Sequence, residues 1–398
     1  MKLKIISIFL LAFLFLDASA QGKRTQKDDQ PEGYKFTTVV SLDATPVKSQ
    51  SGGTCWCFAT TSFIESELLR MNKGEYDLSE MFIVRHNYID RLEDNYLRRG
   101  KGNLGQGSLS HDWLEVFADH GMVPQEVYPK DDSKSHKQSE LNAFIRAIAP
   151  VAIERRNRSE EYHEIVDAVL DTYIGEIPQN FTYKGQSYTP QSFAESLGIK
   201  PDDYVEITSF NHFPFYTKDQ IEVYDNWRHE ELYNVPIDEL VEIMDYALEN
   251  GYTVDWDGDV SEKGFSHTNG VAINPDVSEP EDLSGTDRAR FEDMSTQERL
   301  EEVYKFERPF PEVDVTQEIR QEGYERFVTT DDHLMHVTGI VKDQNGTKYY
   351  ITKNSWGTGR SKYEGYLNMS ESYVKAKVIF IMVHKDAVPD DIRQKLGI

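Results

Sequence analysis

Two cysteines, Cys55 and Cys57, are all that this 398-residue chain contains. They stand two positions apart in the stretch SGGTCWCFATTSF, residues 51–63. On a helix, side chains at that spacing point about 200° apart, too divergent for an S–S bond. No His or Cys cluster completes a zinc set around them. The fold is therefore expected to rest on packing alone, with no metal and no cofactor. One thiol is left with a chemical task, and its neighbour is left to pack.

The N-terminus carries a second constraint. In MKLKIISIFLLAFLFLDASAQG, Lys2 and Lys4 form a basic start, Ile5 to Leu16 an apolar run, and Ala18-Ser19-Ala20 a small-residue cleavage site. Residues 1–20 read as a signal peptide, too short to span a membrane comfortably. The mature protein, residues 21–398, is then exported in soluble form to the periplasm or beyond the cell, with no stable membrane insertion. Its roughly 378 residues suffice for a large core. The formal charge of −26 repels phosphate backbones, which argues against nucleic acid as a partner.

Pattern along the chain predicts helices first and strands last. Residues 54–71 show a helical apolar face behind Gly52-Gly53, and residues 74–84 and 111–124 read as further helices flanking a Gly-rich loop at 99–108. From about 132 to 310 the composition shifts to amphipathic helices, at 160–174 and 236–251, among Pro- and Asp-rich connections. Beyond residue 326, "LMHVTGIV", "KYYITKNSWG" and "KVIFIMVH" read as strands. An α+β architecture of two packed halves with a helical middle insertion follows. "DWDGDVSE" (255–262) imitates a calcium loop but fails it, because the required Gly and Glu positions hold Val260 and Ser266.

Cys55 sits in the first turn of its predicted helix, where the macrodipole and unpaired N–H groups favour a thiolate. Cys57 lies half a turn on and is expected to pack. A thiolate nucleophile needs an imidazole, and the imidazole needs an orienting partner. "DDHLMHVTGIV" followed by "KNSWG" offers both on neighbouring strands.

At this point the residues resemble a family. "CWCFA" with a downstream His and "NSWG" looks like the papain-like cysteine peptidases. "DLSE" (77–80), "GQGS" (105–108) and "GMVPQEVYP" (121–129) resemble that family's intermediate landmarks. The wide gap between Cys55 and the His region, with "GEIPQNFTY", "YNVPIDEL" and "DGDVSEKGF" inside it, resembles the bleomycin hydrolase and aminopeptidase C branch. The resemblance implies a papain-like two-part fold, a helical half and a β-barrel-like half, with a large mostly helical insertion at about 132–310.

The resemblance also implies roles. Cys55 is the nucleophile and His333 the base, since His333 lies six residues before Gly339 and on the strand face opposite His336. Asn354 orients His333, Trp356 shields that bond, and Gln50 lends its amide to the oxyanion hole. The loop between Gln50 and Cys55 is one residue shorter than usual, and Ser108 replaces a loop glycine, where it is expected to crowd the substrate backbone. Peptides are the implied substrates, aminopeptidase action the implied activity, and a homo-hexamer the assembly known in relatives. Relatives hold the substrate's amino group with a C-terminal arm, and the stretch after the last strand here reads as too short for one. Ile398 then reaches the cleft by another path, or the cleft is open and the enzyme is an endopeptidase. A non-catalytic oligomeric binding protein on the same fold is the remaining alternative.

Overall fold

The computed structural model describes residues 33–129, 137–154, 158–277 and 293–398. The signal segment 1–20 lies outside them. The helix Cys55–Arg70 is buried from Cys55 through Leu68, on every face. A helix covered all round belongs at the centre of a domain. Around it pack Glu80–Leu97, whose N-cap Ser79 hydroxyl accepts from Phe82 N–H, and Ser110–His120, which ends at Gly121 with φ 83°. Trp56, Phe63, Phe82 and Trp113 fill the core among them.

An eleven-stranded sheet lies against this helical half. The strand His333–Lys342 is central to the site. It pairs antiparallel with Val254–Gly258 on one side, matching His333 to Gly258 and Leu334 to Asp257. On the other side it pairs with Lys348–Lys353, matching His336 to Lys353. Period-two alternation then divides its residues between two cores. Leu334 joins the core of the Cys55 helix, while Met335 and Val337 join a second core with Trp256 and the helix Ile237–Glu249.

The expectation of helices first and strands last needs correction in the middle stretch. Residues 161–174 and 237–249 are helical, as read, and 137–154 and 190–197 are further helices. From Tyr204 onward the same stretch enters the sheet, through Tyr204–Thr208 and Val254–Gly258, with Val378–His384 between them. The acidic string around residue 257 hid this strand. The string reads as a failed calcium loop among Pro- and Asp-rich connections, yet every residue of Val254–Gly258 is buried. Among the described residues, no helix is long and apolar enough to cross a membrane.

The last helix, Asp390–Leu396, packs on the second core, and Ile398 lines a surface cavity of about 460 Å³ with His111, Glu206, Tyr233 and Lys385. None of Cys55, His333 and Asn354 lines that cavity. Ile398 therefore does not reach the Cys55 cleft by another path.

Candidate active site

The loop before Cys55 is shaped by its own side chains. Thr54 Oγ1 donates to the Ser51 carbonyl at 2.9 Å, and Gly52 takes φ +64°, a left-handed conformation suited to glycine. Gln106 stitches this loop to the Gly-rich one. Its amide oxygen accepts from Gly53 N–H at 2.8 Å, and its carbonyl accepts from the Trp56 indole at 3.0 Å. Cys55 thus begins its helix from a fixed platform.

The start of the His333 strand closes over the thiol. The backbone N–H groups of Leu334 and Trp56 both point at Cys55. Cys55 is 8% exposed and His333 4%, so both are nearly enclosed. His333 Nε2 lies 2.9 Å from Asn354 Oδ1. An amide oxygen only accepts, so Nε2 carries the proton and Nδ1 keeps its lone pair. Ser355 N–H, at 2.7 Å, holds the same Asn354 oxygen in place. The Trp356 ring lies over His333 with centroids 4.9 Å apart and covers this bond.

Burial governs the charges. It pushes the Cys55 thiol up to about 12, and the nearby Asp257 and Asp331 carboxylates push the same way, while the two N–H groups pull it down. Burial and these carboxylates thus oppose the thiolate that the helix N-terminus favours. Burial also brings His333 down to about 4, against its hydrogen bond to Asn354. The imidazole is neutral and able to accept a proton.

The second Cys–His set is inert by contrast. Cys57 Sγ donates to the Glu80 carbonyl at 3.3 Å. His336 Nδ1 meets Ser62 Oγ at 2.8 Å, and Lys353 Nζ donates to that hydroxyl at 2.7 Å. These are the packing and structural roles read for Cys57 and His336.

Gln50 sits beside the site but is partly committed. Its amide oxygen accepts from Ser355 Oγ at 2.6 Å and its Nε2 donates to the Gly52 carbonyl at 2.9 Å. An amide has two N–H groups, so one stays available.

Ser108 does not crowd the cleft as expected. It is buried, and its hydroxyl oxygen accepts from Arg91 at 2.8 Å, Asn87 at 2.9 Å and Trp227 at 3.1 Å. Arg91, also buried, gathers the carbonyls of Asn103, Gly105 and Gly107. What does overlie the loop is Asp225: a Cβ on Gly107 would collide with its carboxylate. Asn103 Nδ2 ties the same segment down through the Tyr224 carbonyl at 2.8 Å.

Sequence reasoning missed Arg91, Gln106, His267 and Asp225. His267 packs on Trp356 at 5.2 Å and stands 3.5 Å from the Asn354 amide nitrogen. None of the four sits in a motif quoted for its chemistry, although Gln106 falls within "GQGS". Among the described residues no group of His, Cys, Asp and Glu has the arrangement to hold a metal ion.

Comparison with known proteins gives this geometry its family. A family model described as the Peptidase C1-like family matches residues 90–397. The chain belongs to that family. The match begins beyond Cys55, so the nucleophile loop stands outside it. The chain is 21% identical over 406 residues to aminopeptidase C of Lactobacillus helveticus, covering 88% of this chain and 81% of that one. It is 26% identical over 151 residues to cysteine proteinase 1 of Entamoeba histolytica, covering 36% of this chain and 44% of that one. The crystal structure of PepW from Lactobacillus rhamnosis superposes with a TM-score of 0.66 at 18% identity, covering 91% of this chain and 84% of that one. The α+β papain-like fold and the cysteine-type peptidase class read from the sequence both hold.

Proposed function

We propose that the chain is an exported cysteine aminopeptidase acting through Cys55, His333 and Asn354. The Cys55 thiol passes its proton to His333 Nδ1 and attacks the peptide carbonyl. Each charge alone is disfavoured by burial, but a thiolate and an imidazolium formed together offset part of that cost by mutual attraction. The Cys55 N–H and the free Gln50 N–H receive the oxyanion. His333 then protonates the leaving amine, and water hydrolyses the thioester by the reverse path. Asn354 keeps Nδ1 facing the thiol throughout.

One observation carries exo- over endopeptidase action: the Asp225 carboxylate lies directly on Gly107. In papain-like enzymes that glycine loop faces the residues preceding the scissile bond. A covered loop leaves little room for a longer chain on that side. The similarity to a protein named aminopeptidase C supports the same reading. Export rests on the N-terminal segment alone, and assembly into a homo-oligomer on the family resemblance.

The test is one peptide series with free and N-acetylated amino ends, cleaved by wild type and by Cys55→Ala. Cleavage confined to free amino ends and abolished in the variant is expected. Equal cleavage of blocked peptides would make it an endopeptidase, and activity surviving in Cys55→Ala would end the reading.

A further inference from the structure

The acidic residues beside the nucleophile have a chemistry that the peptidase mechanism does not use. Asp257 pairs in register with Leu334, whose N–H points at Cys55. Asp331 lies two residues before His333. Their carboxyl groups meet within hydrogen-bonding contact, and the backbone N–H of Asp225 reaches Asp331. Three separate segments thus converge on one small volume: the Val254–Gly258 strand, the approach to the His333 strand, and the segment that covers Gly107.

The decisive feature is what these carboxyls lack. Asp257 is fully buried, and apart from its contact with Asp331 neither of its oxygens meets a hydrogen-bond donor. Asp331 Oδ2 is likewise buried without one. Leaving such groups unsatisfied is costly, and folded proteins rarely do so. Other buried carboxylates here are supplied. Glu65 accepts from Thr45 at 2.5 Å and Leu78 N–H at 2.8 Å, and Asp112 accepts from Arg228 at 2.8 Å. Asp255, two residues from Asp257, accepts from Thr60 at 2.7 Å and Ser110 at 2.9 Å. Single oxygens lack a donor elsewhere too, on Asp255, Glu80 and Asp343, but Asp257 lacks one on both.

We infer that Asp331, Asp257 and Asp225 form the subsite that receives the free α-ammonium group of the substrate, an inference that rests on the aminopeptidase reading. An ammonium group carries three donors and no acceptor, the complement of the Asp257 and Asp331 oxygens that lack a donor. The α-nitrogen is two bonds from the carbonyl carbon that Cys55 attacks. Acceptors beside the thiol therefore read the amino end of the residue being removed. Ile398 lies in a different cavity, so its carboxylate does not supply this recognition.

Two readouts on the full-length chain test this. In the first, free and N-acetylated alanyl amides, and blocked peptides with Lys or Arg two residues before the bond, are offered to wild type, Asp331→Asn and Asp225→Asn. Asp331→Asn should lose about 10–10²-fold in kcat/KM on free amino ends and gain relative preference for blocked ones. Asp225→Asn should fall less. Unchanged selectivity in both variants would overturn the subsite, as would wild-type preference for blocked peptides with the basic residue, because the cluster would then read a side chain. The second readout does not need turnover. Alaninamide should protect Cys55 from iodoacetamide in wild type, but not in Asp331→Asn, and N-acetylalaninamide should protect neither. Protection that survives Asp331→Asn, or that the acetylated amide matches, overturns the subsite even if peptide cleavage stands. Protection without peptide cleavage would keep the subsite and overturn the peptidase reading instead.

Discussion

Within one contact layer the protein holds two Cys–His sets. Cys55 and Cys57 are two residues apart, His333 and His336 three, and all four are buried. Both imidazoles are held neutral by burial. The difference lies in what completes each set. His333 has an amide acceptor, a covering indole, and a thiol capped by the next residue's N–H. His336 has Ser62 and Lys353, and Cys57 has a helix carbonyl. Residue type and burial do not tell the two sets apart; position at a helix start and a strand start does.

The sharpest test of this contrast is Cys55→Ala against Cys57→Ala. The first should abolish peptide cleavage, a loss on the order of 10⁶-fold by analogy with removal of other nucleophiles. The second should keep kcat and lower stability by about 1–2 kcal/mol, read by urea titration. Equal losses of activity would erase the distinction.

His333→Ala should lower kcat by about 10²–10⁴-fold with the fold intact. His336→Ala should instead lower stability by about 1–3 kcal/mol, because it empties a buried site and leaves the Ser62 hydroxyl without its imidazole partner, with kcat within a few-fold of wild type. A large kcat loss in His336→Ala with unchanged melting would reverse the assignment.

Gln50→Ala should cost about 10²-fold in kcat with little change in KM, if its one free N–H meets the oxyanion. A change in KM alone would mean that the amide only braces the loop through Gly52 and Ser355.

The smallest effect concerns stability against pH. Burial raises the Asp331 carboxyl to about 8, with the Asp225 charge adding to it. A carboxyl raised on folding is penalised once the unfolded chain ionises, near pH 4, and the penalty grows until pH passes the folded value. Asp331→Asn removes that penalty. Its melting temperature should exceed wild type at pH 8 and match it at pH 4. A variant that melts higher yet cleaves free amino ends worse would show a group kept for function at a cost in stability.

Much of the candidate set was legible in the sequence. A helix start after Gly-Gly, a His with the strand's alternation behind it, and an Asn on the next strand are local patterns with local causes. The His333–Asn354 pairing followed from adjacent antiparallel strands. The strand at Val254–Gly258 was not legible, since Asp255, Asp257 and Asp259 read as part of a failed calcium loop and three alternating acidic residues argue against a buried strand. Only the sheets and helices on either side make that alternation a buried one. What opposes a thiolate at Cys55 was hidden for a similar reason: helix position is local, but the desolvation and carboxylates come from distant segments.

The sequence by itself determined the absence of disulfides, the helix that starts at Cys55, and which of two histidines shares a face with Met335 and Val337. These follow from spacing and period, which need no knowledge of partners. Tertiary structure alone decided that Asp225 covers Gly107, that Ser108 turns inward to Arg91 and Trp227, and that Asp257 and Asp331 meet beside the thiol. Charge and burial at the site sum over segments as far apart as residues 55, 225 and 331, and only folding brings those terms together.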